Sequence, residues 1–214
     1  MIFINVLSFA RYPAPRVRRA RVDPLRGLPR LAKTKTIAYL APMAIRPILI
    51  HPDPRLRKPA APVAAIDVEV RALAEDMLAT MYEAPGIGLA ATQLGVMKRV
   101  FVMDAGAKDD PPAPLVLVNP EIVWRSDETE TSEEGCLSIP DVYEDVTRAA
   151  RVRLHWTGLD GAEQEAEFAD RWAICAQHEL DHLDGRLFID HLGAVKRAMI
   201  TARMKKLKRE KARA

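Results

Sequence analysis

His178 and His182 stand four residues apart in the stretch QHELDHLDG, with Glu179 directly after the first. On a helix, that spacing puts both imidazoles on one face, where their ring nitrogens can converge on a single point. Neutral imidazole suits Zn, Fe, Ni or Cu, and Glu179 stands where a general base can reach a water on such an ion, as in H-E-x-x-H hydrolases. With 5 His and 14 Glu in 214 residues, chance produces this pattern in about one such chain in a hundred. The pattern therefore needs support from elsewhere in the chain.

A catalytic metal site usually has three protein ligands and one open position. The longer pattern H-E-x-x-H-x-x-G-x-x-H begins here with Gly185 in place, but Phe188 stands where its last histidine belongs. Asp184 and Asp190 lie close by in sequence, Glu210 sits in the basic tail, and His191, six residues beyond Gly185, fits that spacing poorly, so none is an attractive substitute. Upstream, Cys136 in EEGCLSIP follows several strand-like runs. A cysteine there reads either as a small buried hydrophobe or as a thiolate brought to the helix from a strand or loop.

The elements that must position these residues follow from hydrophobic spacing. Val70, Leu73, Ala74, Met77, Leu78 and Met81 recur at helical intervals and predict an amphipathic helix over 67–84, its methionines in the core. RVFVMD (99–104), PLVLVN (114–119), EIVWR (121–125) and RVRLHW (151–156) read as short strands, punctuated by Asn119-Pro120 and DDPPAP (109–114). Trp172, Ile174 and Cys175 precede His178 in a second helix whose periodic part ends at Gly185. Ala194 to Arg213 reads as a basic helix with a loose apolar stripe of Val195, Met199, Ile200, Met204 and Leu207. The fold class expected is α+β: short antiparallel or mixed strands packed around a central helix carrying HELDH, with a C-terminal basic helix. The glycines of GIGLAATQLG match neither nucleotide-binding fingerprint.

At 49% hydrophobic residues, the chain can bury one sizeable core, and no apolar run approaches the roughly 18 residues that span a bilayer. Charge is unevenly divided. Residues 1–42 hold nine Lys/Arg and one acid, and so do residues 196–214, leaving 14 basic and 27 acidic residues between them. The expected division is a basic extension over 1–42, a catalytic domain over 43–195, and a basic helix or tail over 196–214. The extension carries five prolines and no sustained period, so it reads as unstructured or as preceding the true start at Met43; an Arg-rich organelle transit peptide is the alternative. Two cysteines without a clear secretory signal favour a reducing compartment, and bacterial cytoplasm is the expected location.

Three stretches together resemble a known family. GIGLAATQ (86–93), EGCLSIP (134–140) and QHELDH (177–182) look like the three signature motifs of the peptide deformylases, in the same order, and the resemblance covers about 43–195. It implies hydrolysis of the formyl group from the N-terminal formylmethionine of nascent polypeptides, with release of formate. It also implies Cys136, His178 and His182 as ligands of one divalent metal, Fe(II) in the first place, with Zn, Ni or Co able to occupy the same site. Glu179 would be the general base and acid, while the Gln93 side chain and the Leu137 backbone N–H would stabilise the oxyanion. Gly86, Ile87, Gly88, Ile174 and Cys175 would bind the substrate, with Leu137 also lining the methionine pocket. Arg148 is the implied partner of Asp181, and Glu134 an orienting group for a ligand.

Tyr143 is a departure, since some family members have an arginine seven residues after the metal cysteine that contacts the peptide. The basic C-terminal helix resembles those that dock on the ribosome, through Lys205, Lys206, Lys208 and Arg209; a solvated helix is the plainer reading. A metallo-endopeptidase, an inactive ribosome-associated relative and a structural zinc site remain as alternatives.

Overall fold

The computed structural model describes residues 18–19, 44–107 and 110–211. The expectations for the rest of 1–42, for a start at Met43 and for a helix beyond residue 211 lie outside the described residues. The fold is α+β, as expected, with three α-helices and antiparallel sheets among the described residues.

Helix α1, Val68–Glu83, starts where the Asp67 carboxylate accepts from Val70 N–H at 2.8 Å. This satisfies one of the donors that every helix N-terminus leaves free. Its buried face holds Val70, Leu73, Ala74, Met77 and Met81 of the stripe read from the sequence, together with Asp76 and Thr80, while Leu78 is half-buried. A six-stranded sheet runs in the order β1 (Arg18–Arg19), β8 (Glu163–Ala169), β7 (Arg151–Thr157), β4 (Leu115–Arg125), β3 (Val100–Met103) and β2 (Gly88–Ala90). Every named pair is antiparallel, and among the described residues the parallel component is one isolated bridge between Ala61 and Lys98.

β3 explains how the sheet is filled. Successive side chains point to opposite faces; Val100 and Val102 pack with α1, while Phe101 and Met103 pack under helix α2, Asp170–Leu183. Both faces are covered, so this strand reads as an unbroken apolar run. The α2 side also buries Leu117, Leu154, Trp156 and Phe168 against Trp172, Ala173, Ala176, Leu180 and Leu183. A separate hairpin, β5 (Thr129–Cys136) and β6 (Ile139–Ala149), lies on the other side of α2, which touches β2, β3, β7 and β8 of the sheet and β6 of the hairpin. α2 is thus held from both sides.

Three expectations need correction. Asn119-Pro120 is not a turn between two strands. It lies inside the 11-residue β4, at a register shift between Val118 and Glu121, where Asn119 adopts φ 51°. The Asn119 amide stabilises that conformation by accepting from Val63 N–H at 2.7 Å and donating to Val63 C=O at 2.8 Å, and a proline without N–H is tolerated at such a bulge. β4 and β6, at 11 residues each, are not short. The apolar stripe of α3, Ala194–Lys211, is narrower than expected: Ile200 and Met204 are buried against Leu56, Phe188 and Ile189, whereas Val195 and Met199 are exposed.

Candidate active site

The last two turns of α2 carry His178, Glu179 and His182, all buried. The histidine ring centroids lie 5.0 Å apart with the rings edge to face. Cys136 closes β5 and brings its thiol against them, with Sγ 3.2 Å from His182 Nε2. One ligand atom from each of Cys136, His178 and His182 lies within 4.8 Å of the other two. These are one sulfur and two imidazole nitrogens, a set suited to a borderline divalent ion such as Fe, Zn, Ni or Co.

The two histidines are shifted in opposite directions. Burial alone would lower the His178 pKa, but the contacts with Cys136 and Glu134 raise it well above the ordinary histidine value. Burial, with the His178 and Arg148 charges, keeps His182 well below the ordinary value and hence neutral, the form that ligates.

Around the cluster, Glu134 Oε2 accepts from His178 Nδ1 at 2.8 Å. Arg148, on β6, donates to Glu134 at 2.5 and 3.0 Å and to Asp181 Oδ2 at 2.8 Å. Asp181 Oδ2 is also 2.8 Å from His191 Nε2. Burial would raise the Glu134 pKa, but the hydrogen bonds from His178 and Arg148 outweigh it and hold the carboxyl at about 2. These bonds tie β5, β6 and α2 together and fix the orientation of one imidazole.

Glu179 differs. Burial pushes its carboxyl up to about 7, against the charges of His178 and Arg148, and its Oε2 is buried without a hydrogen-bond partner among the described residues. It lines a cleft together with Gly86, Ile87, Gly88, Gln93, Cys136, Leu137, Ile174, Cys175 and His178. Every site residue expected from sequence lines this cleft except His182, which sits beside Cys136.

Gln93 belongs to a short 3-10 turn following β2, and its Oε1 accepts from Ala90 N–H at 2.8 Å. That bond turns Nε2 towards Ser138 Oγ at 3.2 Å and Cys136 Sγ at 3.7 Å. β2 is the last strand of the sheet, so among the described residues one of its edges is unpaired. It runs so close to α2 that a Cβ on Gly88 would lie 2.4 Å from Glu179 Oε1 and 2.7 Å from Cys175 Sγ. Burial, reinforced by the Glu179 charge, raises the Cys175 thiol well above its usual value. Both cysteines are free.

Tyr143 faces Gly135 across the hairpin, where a Cβ on the glycine would meet its ring at 2.7 Å. Sequence reasoning did not single out Ser132, Glu133 or Arg171, which also line the cleft. Arg171 carried a signal, being a charge seven residues before His178 on the same helix.

A family model described as polypeptide deformylase matches residues 45–198. The chain belongs to this family. A peptide deformylase of Methylocella silvestris is 54% identical over 167 residues, covering 77% of this chain and 85% of the relative. The crystal structure of a Legionella pneumophila peptide deformylase is 44% identical, with TM-score 0.73 over 80% of this chain and 99% of that one. A class I type b peptide deformylase of Acinetobacter baumannii, solved with Met-Ala-Ser bound, is 37% identical, with TM-score 0.67 over 70% of this chain and 99% of that one. The protein is accordingly a hydrolase that removes the formyl group from the N-terminal formylmethionine of nascent polypeptides; its family is metal-dependent, and its Cys/His/His cluster could hold a metal.

Proposed function

We propose that deformylation is carried out by Glu179, Gln93 and Leu137 beside one divalent ion held by Cys136, His178 and His182, Fe(II) in the native protein. The observation that carries this reading is the unpartnered, buried Glu179 Oε2 beside the three convergent ligands. When bound, the ion supplies Lewis-acid polarisation and makes water more acidic. Its charge also favours the ionised form of Glu179. Glu179 takes a proton from the attacking water and returns it to the amine nitrogen as the formyl C–N bond breaks, so formate and a free N-terminus leave. Gln93 Nε2 and the Leu137 N–H donate to the oxygen on which charge develops.

The substrate backbone adds to the free edge of β2 at Gly88, and its methionine side chain lies among Ile87, Leu137, Ile174 and Cys175. Gly86 keeps this wall open, since a Cβ there would meet the Leu137 side chain at 2.8 Å. The Met-Ala-Ser complex of the Acinetobacter relative supports a product-like tripeptide as occupant. Formate release from a formyl-Met tripeptide, by wild type and Glu179→Ala with metal content measured on both, tests the assignment. Formate made by the wild type and lost in a variant that retains its metal is the expected result; equal rates overturn the role of Glu179.

The exposed cations of α3, Lys205, Lys206, Lys208 and Arg209, are proposed to dock on ribosomal RNA in the cytoplasm, where nascent chains emerge. No helix among the described residues is long and apolar enough to cross a membrane. Salt-dependent co-sedimentation with ribosomes, lost when these four cations are replaced by Gln, is expected; undiminished pelleting sinks the docking role.

A further inference from the structure

We propose that Arg171 reads the charge of the substrate residues that follow the methionine and favours an acidic one; this rests on the deformylase reading of the cleft.

The cleft is lined along α2 in a definite order. His178 and Glu179 stand at the reacting end, Ile174 and Cys175 one turn earlier, and Arg171 one turn earlier again. Spacings of three and four residues keep all of them on one helix face. From formyl group to methionine side chain to the next residues, the substrate follows the same order. Seven residues separate Arg171 from His178, about 10 Å along the helix axis at the ordinary rise. An extended peptide covers that distance in about three residues. The second or third residue therefore passes Arg171.

The guanidinium is also unspent. Arg148, Arg151 and Arg153 each have a carboxylate within 4.0 Å, whereas Arg171 has no ion-pair or hydrogen-bond partner among the described residues, and its Nε is buried without one. A half-buried cation at the wall of a cleft, lacking an acceptor, gains most from a ligand that brings a carboxylate. Glu133 lines the same cleft with the opposite charge, but it lies exposed on β5, where water and salt screen it. Arg171 therefore sets the sign of the preference.

The experiment compares kcat/KM for formyl-Met tripeptides bearing Asp or Lys at the second or third position, with formyl-Met-Ala-Ser as the neutral reference. Wild type should favour the acidic over the basic peptide by about 3- to 10-fold, the range for one charge pair at a partly desolvated rim, mainly through KM. Arg171→Glu should invert the ratio, and Glu133→Gln should increase it. Each ratio is taken within one protein, so a general loss of activity cancels. If Arg171→Glu fails to fold, the wild-type ratio must still fall towards one as ionic strength rises; a ratio indifferent to salt overturns the proposal. Equal wild-type rates on acidic and basic peptides overturn it too, while leaving deformylation intact. No formate from any formylated peptide would instead remove the reading on which it stands.

Discussion

Glu134 Oε2 accepts from His178 Nδ1 at 2.8 Å, which leaves Nε2 as the nitrogen available to the cluster with Cys136 and His182. The carboxylate is itself held by Arg148. Removing it by Glu134→Ala frees the imidazole to rotate and leaves Arg148 with Asp181 alone. Metal affinity should fall by about 10- to 100-fold. Chelator competition, followed by metal content in the dialysed protein, measures this; unchanged retention would contradict an orienting role.

The same carboxylate predicts acid sensitivity. Its pKa is lowered from 4.5 to about 2 in the folded protein, so across that interval the unfolded chain binds more protons than the folded one. Its contribution to stability is full above about pH 4.5 and is lost as pH falls towards about 2. Urea midpoints of the metal-free protein should decline over this window, and less steeply for Glu134→Gln. Parallel slopes for the two proteins would assign the decline to other groups.

Gly88→Ala should damage catalysis rather than the fold. The added Cβ would meet Glu179 Oε1 at 2.4 Å, and the strand cannot retreat because Leu89 and Ala90 are fully buried behind it. Displacing the carboxylate by about 1 Å is expected to lower kcat/KM by about 100-fold. Circular dichroism should stay native; wild-type turnover in the variant would show that the approach is looser than described.

For α3, the two classes of methionine separate. Met204 is 1% exposed and Met199 67% exposed. Met204→Ala should cost about 2–5 kcal/mol, as for other buried large-to-small changes, and Met199→Ala less than about 0.5 kcal/mol. Equal shifts in the denaturation midpoint would mean that α3 is not anchored through this face.

How much of this was legible in the sequence varies by element. α1 and β3 were readable because burial there follows helical or unbroken apolar spacing. β5, β6 and β8 were not among the strands read. TETSEEGC in β5 is mostly polar, and its pairing rests on cross-strand partners such as Thr131 with Thr147 and on the buried Glu134–Arg148 pair. β8 alternates exposed Glu163, Glu165 and Glu167 with more buried neighbours and carries few branched residues. Asn119-Pro120 carried an honest turn signal, overridden by the bond between Asn119 and Val63.

The sequence by itself determined which groups could act. Four-residue spacing makes His178 and His182 face together on any helix, and three ordered motifs named the family. Only the tertiary structure decided that Cys136 meets His182 across 46 residues, and that, among the described residues, Glu179 Oε2 is left without a hydrogen-bond partner and Arg171 lines the cleft uncompensated. Local spacing sets direction within one helix, whereas desolvation and contact between distant segments arise when the sheet and the hairpin close on α2 from opposite sides.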